Sequence, residues 1–119
     1  MTTTLGQQRA KFCLEQLENL SCSRADFKPF SAGLPAMILQ NGFGQTLAFL
    51  VAKGTPKHMA GFHIIKDWLV NRGLITAGQP RDILVNISTM EQKRYLHAQR
   101  ETLAMLEWLK RYANAEIFD

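Results

Sequence analysis

The stretch Leu34–Gly54, LPAMILQNGFGQTLAFLVAKG, carries no charged residue until Lys53. A segment this long and this apolar cannot lie on a surface, so the rest of the chain must pack around it. It reads as two short helices joined at Asn41-Gly42. Pro35 opens the first, because its missing N–H falls where a first-turn donor has no partner anyway. Asn41 and Gly42 both tolerate positive φ, which suits a helix stop followed by a sharp reversal. The second helix buries Leu47, Leu50 and Val51, with Phe43 one turn earlier, at a period near 3.6. Lys53 in its last turn and Gly54 just beyond mark its end.

The remaining 3.6-period segments are the layers that do the packing. Thr2–Thr4 offer N-caps for a helix from Leu5 to about Leu20, with Ala10, Cys13, Leu14, Leu17 and Leu20 in one stripe. Ser21-Cys22-Ser23 ends it. Arg24–Phe30 is helical in character but contains Pro29, which predicts a short or kinked helix. Thr55-Pro56 is a cap followed by proline at the first helical position, opening a helix to about Arg72 that Gly73 stops. Leu74–Gln79 is a loop. Pro80–Ile87 predicts a short helix with Ile83, Leu84 and Ile87 inward; a lone strand there has nothing to pair with. Ser88-Thr89-Met90-Glu91 matches a capping box and opens the longest helix, to about Ala115. On that helix Tyr95, Ala98, Thr102, Met105, Leu109 and Tyr112 share a face that Leu103 and Leu106 widen. The expectation is an all-α, compact single-domain bundle of six or seven helices over residues 1–119.

The chemistry-bearing residues are sparse. His58 and His63 are five apart and do not share a helix face; His97 lies elsewhere. The spacing of Cys13 and Cys22 fits no zinc pattern, and Cys13 on an apolar face behaves as a small hydrophobe. Asp26, Asp67, Asp82 and Glu91 are scattered, with Asp67 beside Lys66 and Asp82 beside Arg81 as ordinary surface pairs. Gly42-Phe43-Gly44 is followed by Gln and Thr, not the lysine of a phosphate loop. No catalytic residue, metal site or cofactor is expected. At 46% hydrophobic and 20% charged residues the chain is not of disordered composition. No apolar run reaches the roughly 18 residues of a membrane span. MTTTLGQQRAKF has no apolar signal core, which predicts a cytoplasmic protein.

Charge distribution is the informative quantity. The formal net charge is +4, and from Phe27 to Lys66 there is no Asp or Glu while Lys28, Lys53, Lys57 and Lys66 are all present. One sign of charge gives a field suited to an anionic partner. Lys53, Lys57 and Lys66 are the expected nucleic-acid contacts, with Arg72 extending the track. Lys57 and Lys66 lie two and a half turns apart, or roughly 13 Å. Arg9 and Lys11, and the outward-facing Lys93, Arg100 and Arg111, read as solvated surface charge. Thr46 or Gln45 is expected to bond backbone groups freed at the Asn41-Gly42 turn. Trp68 and Trp108 both lie at the edges of apolar stripes, as core or as one interface anchor.

LPA followed by NGFGQTLAFLVAKG, with RAKF at Arg9–Phe12 and LAMLEWLKRYA at Leu103–Ala113, resembles the small all-helical subunit of the type III-B CRISPR effector, the Cmr-type interference complex. The matching segments span nearly the whole chain in order, and NG-x-GQTLAF is the specific part. Pro29 departs from the smoother helix that relatives run into LPA. The resemblance implies a non-catalytic filament subunit. Its partners would be the backbone and other subunits of the complex, copies of itself, guide RNA and target RNA, with no membrane. The residues alone leave open an all-α protein-interaction or helix-turn-helix DNA-binding module using the Pro56–Arg72 helix.

Overall fold

In the computed structural model, which describes residues 2–118, Thr4 opens helix α1 (Leu5–Glu18) through a capping box. Its hydroxyl accepts from the Gln7 N–H at 3.1 Å, and the Gln7 side chain accepts from the Thr4 N–H at 2.7 Å. Helix α2 (Arg24–Asn41) starts at the Ser23 cap and runs through both Pro29 and Pro35. One helix therefore replaces the kinked helix and the Pro35-initiated helix expected from sequence, and the count among the described residues is six. Each interior proline costs about 3 kcal/mol of helix. Full burial of Phe27, Leu34 and Ile38 on this helix supplies about 1.5–3 kcal/mol apiece, comparable in sum to the cost of the two prolines. Pro35 is itself buried.

The reversal after α2 rests on one residue, not two. Asn41 stays helical; Gly42, at φ 92° and ψ 157°, ends α2 and begins α3 (Phe43–Lys53) at once. Only glycine adopts that conformation without strain. Its N–H reaches the Ile38 carbonyl at 2.8 Å, and its own carbonyl accepts from the Thr46 hydroxyl at 2.8 Å. Thr46 thus takes the backbone role expected of it. Gly54, in the left-handed region, closes α3.

Helix α4 (Pro56–Asn71) follows with proline in its first turn, then α5 (Pro80–Thr89) and α6 (Gln92–Ala113). Ser88 does not cap α6. The hydroxyls of Ser88 and Thr89 turn back to the carbonyls of Leu84 and Val85 and extend α5 instead. Glu91 is the residue at the α6 N-terminus.

Helix α6 packs against α1, α2 and α4, while α3 packs against α2, α4 and α5. The apolar Leu34–Gly54 stretch thus has neighbours on several sides, and Phe43, Leu47 and Leu50 are buried to 1% exposure or less. Trp68 is core, whereas Trp108 is 36% exposed. Cys13 donates weakly to the Met105 carbonyl, and burial pushes its thiol up to about 12. Such a thiol is inert at neutral pH. Among the described residues there is no strand, and no helix is long and apolar enough to cross a membrane.

One charged group in the core was not anticipated. Glu101, 4% exposed, accepts a two-pronged contact from Arg9 (Nε to Oε1 2.8 Å, Nη2 to Oε2 3.0 Å) and a bond from the Trp68 indole at 3.0 Å. Arg9 is accordingly a structural partner of α6 and not a solvated charge.

Candidate nucleic-acid interface

Lys53 ends α3 and Lys57 is the second residue of α4, and the two-residue link Gly54-Thr55 brings them to one corner of the bundle. The Lys53 ammonium stands 5.8 Å from the centre of the Phe49 ring, one helical turn back on α3. The Lys57 ammonium stands 5.9 Å from the centre of the Phe30 ring on α2. Between the two phenylalanines lies His58, edge-on to both, with ring centres at 4.9 Å from Phe30 and 5.6 Å from Phe49. The Thr55 hydroxyl is hydrogen-bonded to His58 Nδ1 and fixes the ring.

Gly61 makes this arrangement possible from the inside. A Cβ at that position would come within 3.0 Å of the Phe30 ring, so the absence of a side chain lets Phe30 lie against α4. Burial, and then the charges of Lys57 and Lys53, hold the His58 imidazole below its ordinary range. At neutral pH the corner therefore presents a neutral imidazole and two ammonium groups. Among the described residues neither lysine has a carboxylate within salt-bridge distance.

The other cations of the acid-free stretch are placed differently. Lys28 pairs with Glu116 near the C-terminus. Lys66 pairs with Asp67 at 2.9 Å, in the manner expected of that neighbour. Two and a half turns also put Lys66 on the opposite side of α4 from Lys57, because half a turn is 180°. Arg72 caps the far end of α4 and lends its charge to Glu101. The structure thus brings Lys53 and Lys57 together, and Lys66 and Arg72 lie apart from them. Phe30, Phe49 and His58 were not singled out from sequence as neighbours of these lysines; Phe49-to-Lys53 spacing of four on one helix was the available signal.

A second basic surface lies on α6, where Lys93, Leu96, His97 and Arg100 border a shallow crevice. Arg94 is not part of it, since its guanidinium donates to the carbonyls of Gly73 and Leu74 and ties down the loop before α5. No group of three or more His, Cys, Asp or Glu side chains is gathered for a metal among the described residues.

Comparison with known proteins adds to this geometry. Residues 5–116 match a family model described as CRISPR-associated protein Cmr5. The chain is similar to the CRISPR system Cmr subunit Cmr5 of Thermus thermophilus, with 32% identity over 94 residues, 79% of this chain and 77% of that protein. It is also similar to the crystal structure of a CRISPR-associated Cmr5 family protein from the same organism. That superposition has a TM-score of 0.76 at 28% identity and covers 98% of this chain and 99% of the other.

Proposed function

Because the chain belongs to the CRISPR-associated Cmr5 family, we propose that it is a non-catalytic small subunit of a type III-B RNA-guided interference complex. In this reading it stacks in a filament beside the backbone subunits and copies of itself, in the cytoplasm. It contacts the backbone of the guide and target RNA through its basic surface. Lys53 and Lys57 form the centre of that contact, with Lys66 and Arg72 as outlying members. Sequence is read by base pairing between the RNA strands, and the protein neutralises phosphates.

The observation that carries this reading is the corner between α3 and α4, where two cations sit together without a carboxylate partner among the described residues. Lysine suits the task because a flexible point charge follows phosphates without demanding a fixed fork geometry. The helix-turn-helix alternative is disfavoured by α4 itself. Ala60, Gly61, Phe62, Ile64, Ile65, Trp68 and Leu69 are buried on it, so it is a core helix and not one free to enter a groove.

The test is fluorescence anisotropy of a labelled single-stranded RNA across a salt series. Two phosphate contacts give a slope of log affinity on log salt of about −1.4 and roughly a 7-fold loss from 50 to 200 mM. Four contacts give about −2.8 and roughly a 50-fold loss. The Lys53→Glu/Lys57→Glu variant is expected to lose binding, and Lys93→Glu/Arg100→Glu/Arg111→Glu to lose less. Failure of the α6 variant alone would move the interface to α6.

A further inference from the structure

The corner between α3 and α4 holds more than charge. Read across, it is a ladder of three rings, Phe49, His58 and Phe30, with an ammonium at each end: Lys53 by Phe49 and Lys57 by Phe30. Phosphate neutralisation needs only the ammonium groups. The rings keep open surface, since Phe49 is 39% exposed and Phe30, though it packs against the core, and His58 are only partly covered. An unpaired nucleotide has the complementary layout, a flat base with a phosphate on either side. A duplex keeps its bases stacked inside and offers such a site phosphates alone.

We propose, building on the RNA-contact reading above, that this corner is a binding site for an unpaired nucleotide of single-stranded RNA. The base stacks on the exposed Phe49 ring, with His58 edge-on beside it, and the flanking phosphates lie on Lys53 and Lys57. Aromatic rings beside cations are the usual means of holding single strands without reading their sequence, because every base has a π-face. His58 contributes in a second way. In the tautomer in which the Thr55 hydroxyl donates to Nδ1, the neutral ring carries its proton on Nε2, where it is a donor for a phosphate or ribose oxygen. Gly61 belongs to the same device, because it seats Phe30 beneath His58.

The experiment measures affinity of the full chain at 50 mM salt for three ligands: single-stranded oligoadenylate, the same backbone with abasic residues, and an RNA duplex of equal length. The wild-type protein is expected to favour oligoadenylate over both others. Phe49→Ala is expected to weaken oligoadenylate binding by about 5- to 100-fold and to leave duplex binding within about 2-fold. Phe49→Tyr keeps the ring and should restore affinity, whereas Phe49→Leu keeps the apolar bulk and should not. This pair separates stacking from packing even where the alanine variant unfolds. Lys53→Glu/Lys57→Glu should weaken all three ligands. Equal wild-type affinity for oligoadenylate and its abasic counterpart, with the lysine variant still impaired, overturns the nucleotide site and leaves the backbone contact standing. Absence of binding to any of the three overturns both.

Discussion

Replacing Arg9 by methionine keeps most of the side-chain bulk and removes the charge that faces Glu101 across the α1–α6 contact. The carboxylate, 5% exposed, is left with the Trp68 indole as its hydrogen-bond donor, and it cannot turn to water. Stripping one partner from a buried pair costs about 3–5 kcal/mol, because the other charge stays desolvated. Glu101→Gln is the opposite case. It keeps the shape and an acceptor for Trp68, and the freed guanidinium, 20% exposed, has a path to solvent. Its cost should be that of charged hydrogen bonds, about 1.5–3 kcal/mol. Urea melts at pH 7 should therefore rank Arg9→Met as the more damaging change. Acid gives an independent check. Burial alone raises the Glu101 pKa, but hydrogen bonds from Arg9 and Trp68, with the charges of Arg9 and Arg72, outweigh it and hold the group below its ordinary value. A depressed folded pKa means that the contribution is complete above the unfolded value, about 4.3, and is lost as pH falls through the folded one. The Arg9→Met penalty should then shrink as the pH falls through the carboxylate range, because protonation removes the charge that the variant leaves unpaired. An Arg9→Met loss under ~1 kcal/mol at pH 7, or one smaller than that of Glu101→Gln, would refute the reasoning.

Leu47→Ala and Leu50→Ala should each cost about 2–5 kcal/mol in denaturant melts; losses under ~1 kcal/mol would remove α3 from the core. Gly42→Ala should cost about 1–3 kcal/mol, since no side chain suits φ 92° and ψ 157°, and an unchanged melt would show that the reversal relaxes. The purified chain should not cleave single-stranded RNA with magnesium or manganese; metal-dependent cleavage abolished by one point mutation would contradict the non-catalytic reading. Self-association of the isolated chain should be weak in sedimentation experiments, because head-to-tail filament patches do not close. A closed dimer at nanomolar concentration would count against it.

The α3–α4 corner was legible because its signals are local. Gly54, Thr55 and Pro56 each act within a turn of their own position, and they fix where Lys53 and Lys57 lie. The continuity of α2 was not legible, because two prolines speak against it locally and the burial that overrides them comes from α6 and α4. Ser88 was ambiguous for a related reason: a hydroxyl near a helix end serves a cap or a carbonyl four residues back equally well. Glu101 carried no local signal of its burial, since its partner on α1 is 92 positions away. Lys66 lies apart from that corner, because the half-turn remainder of its spacing sends the side chain away from Lys57. The rings beside the lysines come from three helices, and Phe30 on α2 shares none with its cation Lys57.

The pairing of α1 with α6 also governs the order in which the protein can assemble as it is made. Arg9 and Cys13 both find their α6 partners 92 residues downstream. Synthesis at about 5–20 residues per second leaves α1 waiting several seconds with the face that carries Arg9 and Cys13 uncovered. In that interval the nascent chain can settle α3 against α4, whose contact is nearly local, but it cannot seal the face that α1 contributes. Helix α6 is thus the one that licenses α1.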